Sequence, residues 1–186
     1  PRKQAKTINL GLFYGMGKGK LMSQLGVNLE DATEMLANYN ERVPFVKQLM
    51  NDTMSKAGKK GFLSTIEGRR CRFEEWEPIN EWGKKSLPLK EAQQEYGEHM
   101  IKRAWTYKAL NRLIQGSAAD QTKKAMLELY KQGYMAHIQV HDELDFSVAS
   151  DEDKSRIKEI MEHAIELQVP SKVDVECGSN WGDAGD

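Results

Sequence analysis

The chain has 186 residues, 39% of them hydrophobic and 30% charged, with a formal net charge of −1. That apolar content can bury a core in one domain or two lobes and excludes a disordered chain, while the near-neutral balance by itself points to neither a nucleic-acid nor a membrane partner. Two distant cysteines, Cys71 and Cys177, exclude a disulfide framework and a CxxC zinc site and fit a reducing, cytosolic setting, and no apolar run nears the roughly 20 residues of a membrane span.

From Arg2 to Tyr14, the order RKQAKTINLGLFY predicts a helix with bases early and apolar residues late, ended by the glycines of GMGKGK. The glycines and lysines there do not satisfy the phosphate-loop pattern and follow a helix instead of a strand, so Lys18 and Lys20 are expected in solvent beyond a helix stop. After a linker, a second helix is expected from about Leu29 to Asn40. Pro44 suits the first turn of a third, PFVKQLMNDTMSKAG, with Gly58 as its stop. GFLSTIEGRRCRF alternates weakly and turns at Gly68, which predicts a small hairpin with Arg69 and Arg70 at its bend.

EEWEPINEWGKKSLP, punctuated by Pro and Gly, predicts an irregular connector, and helical composition resumes from Lys90 to about Leu110. In QGSAADQTKKAMLELYKQG, Ser117 and Asp120 look like a capping box and Gly133 like a stop. AHIQVHDELDFSV then reads as a hairpin, with Ala136, Ile138 and Val140 on one face of the first strand, Leu144, Phe146 and Val148 on one face of the second, and Asp142 and Glu143 at the join. Ser150 with Asp153 caps a last helix whose Ile157, Ile160, Met161, Ala164 and Ile165 share a face, and KVDVECG alternates as a closing strand. Helices first, then helix, hairpin, helix and strand, give an α+β fold: a helical lobe over about residues 1–112, then a lobe with a small antiparallel sheet over 113–186.

Three constellations carry possible chemistry. Arg2, Lys6, Leu10 and Tyr14 are four apart, so their side chains drift only about 40° per step around a helix and can face one cleft. The two cations would grip a polyphosphate, and Leu10 and Tyr14 would offer an apolar wall and a ring to a sugar and base. The same spacing also describes a solvated basic face beside core residues. Asp142 and Glu143 repel each other by an amount that a divalent cation would cancel, and the flanking strands with His141 make a rigid mount, although acidic turns are common. Asn111 and Gln115, also four apart, carry amides that could read minor-groove acceptors or serve as buried structural amides. His99, His137 and His163 show no partner spacing and read as structural or surface residues.

Taken together and in this order, RKQAKTINLGLFYGM, QGSAAD and QVHDEL closely resemble the motifs of family A DNA polymerases, and YNERVPFVKQLMNDTMSKAGKKGFLSTIEGRR resembles the segment linking the first two, so the likeness spans nearly the whole chain. The resemblance implies a fingers subdomain over 1–112, whose helix 2–14 closes over the incoming nucleotide, and the C-terminal part of a palm over 113–186, with a metal-bearing hairpin over 134–148. Arg2 and Lys6 would hold the triphosphate, Lys6 would protonate the leaving pyrophosphate, and Tyr14 would stack near the template base. Asp142 would bind the two magnesium ions, with Glu143 assisting. His141 would touch the primer end, and Asn111 and Gln115 the minor groove or template strand.

The implied partners are primer-template DNA, deoxynucleoside triphosphates and an N-terminal polymerase portion, in the cytoplasm of a bacterium or a phage-infected host, without a membrane. Three departures stand out. Leu10 occupies a place where the family usually has Phe or Tyr, which bears on sugar discrimination and insertion rate, and Tyr107 stands where it often has Arg. The family's other catalytic Asp, in an Asp-Tyr-Ser-like motif upstream of the fingers, has no match in these residues. The expectation is therefore a piece of a polymerase, or one subunit of a split enzyme, inactive alone. The rival readings are a non-catalytic nucleotide- or DNA-binding module and an α+β interaction domain with coincidental motifs.

Overall fold

A computed structural model describes residues 2–14, 16–81 and 83–184, with the side chains of residues 2–5, 7 and 8 outside the description. The fold is α+β, and the chain divides into two compact units, Pro1–Ile114 and Gln115–Asp186.

The first unit opens with α1 (Arg2–Phe13), α2 (Lys18–Leu25), α3 (Leu29–Arg42) and α4 (Pro44–Lys60). The segment expected as a linker is therefore helical. Its Leu21 is fully buried beside Leu12 and Ala32, with Met22 and Leu25 packed against them, so tertiary burial outweighs the helix-weakening glycines of GMGKGK. Lys18 and Lys20 are exposed, within α2. Asn28 caps α3 by accepting from the Asp31 amide at 2.9 Å.

Pro44 opens α4 as expected, but the helix runs through Gly58 and stops at Gly61, which is left-handed at φ 77°. The left-handed backbone demands glycine there, and a Cβ would lie 2.7 Å from the Arg103 guanidinium carbon, so that side chain would have to shift. That guanidinium donates through Nη1 to the Phe73 carbonyl at 2.8 Å and lies over the Trp76 ring.

β1 (Phe62–Ser64) and β2 (Arg70–Arg72) form the predicted hairpin, with Ser64 opposite Arg70 and Phe62 opposite Arg72. Leu63 and Phe73 join Ala57 and Ala109 in a second core. The segment expected as an irregular connector instead supplies β3 (Glu75–Pro78) and β4 (Leu87–Pro88), and β5 (Ile101–Arg103) completes a three-stranded antiparallel sheet in the order β4-β3-β5. Accordingly, the helix expected over residues 90–110 is only α5 (Leu89–Tyr96), ended by Gly97 before β5. Beside this sheet, Trp105 Nε1 donates to Glu75 Oε2 at 3.0 Å, and the Ser86 hydroxyl donates to the same oxygen. These hydrogen bonds, from Ser86 first and Trp105 next, hold the Glu75 carboxyl below the usual carboxylate range.

A short 3-10 turn, Thr106–Lys108, leads into α6 (Ala109–Lys131). The helix continues straight through Ser117, so the capping-box pattern there is interior. Buried Leu110 before it and Ala125 and Leu129 after it keep the segment helical.

In the second unit, β6 (Ile138–Val140) and β7 (Glu143–Asp145) form the hairpin and α7 (Asp151–His163) follows, capped by Ser150 accepting from the Asp153 amide at 3.1 Å. Leu129, Ile157 and Ile160 form its core, with Tyr134, Leu144, Phe146 and Met161 packed against them. KVDVECG forms no strand; the Val173 amide donates to Glu162 Oε1 at 3.0 Å instead of to a ladder, and Ser171 accepts from Gln121 at 2.8 Å.

Two outcomes test this packing. Leu129→Ala should destabilise its unit by about 2–5 kcal/mol, while Leu127→Ala, on the same helix but 48% exposed, should change it by less than about 1 kcal/mol, both read from urea-unfolding midpoints. A carboxylate with a lowered folded pKa contributes fully above its unfolded pKa and loses that contribution as pH falls through the folded value. The thermal midpoints of wild type and Glu75→Gln should therefore differ at neutral pH and converge in acid.

Candidate functional site

The candidate residues fall on three mounts. The first is α1. Buried Leu12 anchors this helix to α2 and α3, and Leu10, two residues back, lies roughly 160° around the axis from it. The stripe of Lys6, Leu10 and Tyr14 therefore runs along the side opposite the anchor. Lys6 is exposed, Leu10 is 46% exposed, and Tyr14 is half-buried with its ring edge-on to Phe13 at 5.4 Å. The helix reaches this residue, since the Tyr14 amide donates to the Leu10 carbonyl at 3.0 Å. Arg2 begins α1, and its side chain lies outside the described residues.

The second mount is the β6–β7 hairpin. Val140 pairs with Glu143, so the turn is His141–Asp142, and Glu143 is the first residue of a strand and not part of the join. His141 has φ 54°, the left-handed conformation that two-residue hairpin loops require at their first position, and histidine tolerates it better than most side chains. The Gln139 amide nitrogen donates to the His141 carbonyl at 2.6 Å and steadies the turn.

Register decides the faces. Directly paired residues share a face, so Leu144 goes with Gln139 and packs with Phe146 on the Leu129 core, while Ile138 and Val140 share the other face with Glu143 and Asp145. The two apolar alternations thus point to opposite sides. Ile138 and Val140 remain 42% and 38% exposed. Asp142 and Glu143 are exposed as well.

Asp145 was not among the candidates, yet its Oδ2 is buried without a hydrogen-bond partner. The alternation in DELD, which places Glu143 and Asp145 on one face, is the signal that could have found it. Oxygen donors of this kind suit a hard divalent cation such as magnesium. The chemistry fits, but no group of three or more His, Cys, Asp or Glu side chains is placed to hold a metal among the described residues.

The third mount is α6, where Asn111 and Gln115 occupy exposed positions four residues apart. They are not buried structural amides. Tyr107, in the turn before this helix, is 56% exposed. Lys6 and Tyr14 belong to the first compact unit and the hairpin to the second. No helix is long and apolar enough to cross a membrane among the described residues.

Residues 1–183 match the family described as DNA polymerase family A. A DNA-directed DNA polymerase of Pseudomonas phage M6 is 35% identical over 97% of this chain and 29% of its own length, and DNA polymerase I of Bacillus subtilis is 34% identical over 98% of this chain and 20% of its own. The POL domain of Pol1 from M. smegmatis, solved in complex with DNA primer-template and dNTP, superposes with a TM-score of 0.76 at 30% identity, covering all of this chain and 31% of that one. The chain thus spans about a fifth to a third of the length of these relatives.

The turn geometry predicts which residues position 141 tolerates. His141→Val should destabilise the second unit by about 1–2 kcal/mol, because a β-branched side chain is strained at positive φ, whereas His141→Asn should stay within about 0.5 kcal/mol; urea unfolding reads both.

Proposed function

The chain belongs to DNA polymerase family A, and from that membership we propose that it supplies the nucleotide-binding fingers and part of the palm for template-directed addition of deoxynucleotides to a primer. The observation that carries this reading is the likeness over the full chain to a polymerase domain solved with primer-template DNA and dNTP. The partners are then the same two ligands, together with the polymerase portion that these residues do not include.

In this mechanism the exposed stripe on α1 binds the incoming nucleotide. Arg2 and Lys6 hold the triphosphate by charge-assisted hydrogen bonds, and Lys6 donates a proton to the pyrophosphate as it leaves. Tyr14, braced edge-on by Phe13, offers its ring to the base at the template position, and Leu10 lines the sugar. The narrower contact of Leu10, in place of an aromatic ring, bears on sugar selection and insertion rate.

At the palm, Asp142 and Glu143 would hold magnesium, which would supply charge to activate the primer 3′-hydroxyl and stabilise the leaving oxygen. His141 orients the primer end from the rigid turn. Asn111 and Gln115, exposed on α6, donate to minor-groove acceptors or to the template strand and fix its register. Most of the rate enhancement comes from holding the hydroxyl in line with the α-phosphorus. A two-metal site needs a second Asp that no motif here matches, so these 186 residues are inactive until the remaining portion of the polymerase supplies it.

The test is complementation. The chain combined with an N-terminal palm-and-thumb portion should extend a primed template, and the purified chain alone should not. Asp142→Ala should lower the extension rate by at least about 100-fold, and Lys6→Ala should lower it by about 100-fold with weaker nucleotide binding. Extension by the chain alone would overturn the shared-site reading, and undiminished extension by Asp142→Ala would leave only a nucleotide- or DNA-binding module.

A further inference from the structure

A buried polar atom without a hydrogen bond costs stability, so a chain that keeps one has its partner elsewhere or gains nothing from it. Asp145 Oδ2 is such an atom. Arg103 Nε is buried in the same way, but its guanidinium already donates to the Phe73 carbonyl and lies over the Trp76 ring, so that side chain is engaged within its own unit. The Asp145 carboxylate has no such account. Its backbone is fixed, because the residue pairs with Ile138 across the hairpin and its carbonyl accepts from the His137 amide at 2.8 Å.

Asp145 stands two residues beyond Glu143, about 7 Å further from the turn along the strand. The face it shares with Ile138, Val140 and Glu143 is the one turned away from the Leu129 core, and Ile138 and Val140 remain 42% and 38% exposed on it. These properties limit what covers the face. Two carboxylates repel a phosphate backbone, so nucleic acid is the wrong partner for Asp145. Neighbouring apolar side chains suit a dehydrated contact better than a hydrated ion, and no three-ligand metal group exists among the described residues. A buried carboxylate oxygen is satisfied best by a charged N–H donor. The complementary surface is therefore protein, apolar beside Ile138 and Val140 and cationic opposite Asp145.

We propose that an arginine or lysine of the remaining polymerase portion donates to Asp145 Oδ2, with Ile138 and Val140 packed beneath that contact. The chain spans about a fifth to a third of the length of its relatives, so most of the polymerase is available to supply the donor. The inference rests on the polymerase reading for the identity of the partner. It makes Asp145 a residue that the separate chain carries at a cost and that the assembled enzyme satisfies.

Two measurements on the full 186-residue chain test it. In urea unfolding, Asp145→Asn should have a higher midpoint than wild type, because a neutral amide costs less to bury without a partner than a carboxylate. Association is then measured by titration calorimetry against the Pseudomonas phage M6 polymerase from which the matched region has been deleted. Asp145→Asn should weaken it at least about 10-fold, and added salt should weaken wild type more than the variant. Ile138→Ser should weaken it too, while leaving the unfolding midpoint of the separate chain nearly unchanged. Should Asp145→Asn fail to fold by circular dichroism, Asp145→Val carries the same expectations. A midpoint equal to or below that of wild type, or failure of both variants to fold, would place the partner of this oxygen within the chain or in water and overturn the contact. Equal association by wild type and variant, or none by wild type, would overturn it as well. Unchanged association by Asp145→Asn alongside lost extension by Asp142→Ala would remove this inference and leave the polymerase reading standing. Weakened association alongside undiminished extension by Asp142→Ala would keep the contact and remove the catalytic reading.

Discussion

Burial of Leu144 and Phe146 against Leu129, Ile157 and Ile160 aims the hairpin that carries Asp142. A strand has only two faces, so once Leu144 is inside, Glu143 and Asp145 must lie on the other side and the turn must fall at His141–Asp142. A slip of one residue would exchange the faces and move the carboxylate with them. The left-handed backbone of His141 and the bond from Gln139 to its carbonyl close the turn in that register. The placement of the acidic turn therefore depends on apolar packing several residues away.

The basic helix α1 is mounted differently. A single buried leucine in α1, Leu12, fixes which side of the helix faces its neighbours, and the Lys6, Leu10 and Tyr14 stripe is outward as a geometric consequence. The hairpin also keeps Ile138 and Val140 partly exposed on the strand face that carries Asp145, whose Oδ2 is buried without a hydrogen-bond partner.

The segment between the two hairpins shows how local strain and tertiary contact combine. Gly61 leaves room for the Arg103 guanidinium, which reaches the Phe73 carbonyl and the Trp76 ring and so ties α4 to the small sheet. Trp105 then leaves β5 in a conformation few tryptophans adopt, held by Glu75 and Ser86. Its neighbours Tyr107 and Lys108 inherit their placement from that lock.

The sequence by itself determined the α+β class, the family, and the elements whose signals are local: Pro44 opening α4, Ser150 and Asp153 capping α7, Gly68 turning the first hairpin, and the three polymerase motifs in order. Each of these is written within a few neighbouring residues. Tertiary structure alone decided the rest. α2 is helical because Leu21 finds a pocket between α1 and α3, and Ser117 is interior to α6 because burial on both sides of it outweighs a capping pattern. Strands as short as Leu87–Pro88 exist only through pairing with β3, and KVDVECG, alternating but without a ladder, stays irregular. Periodicity reports which side of an element is apolar, but the partner that covers that side is far away in the chain, and only packing selects it.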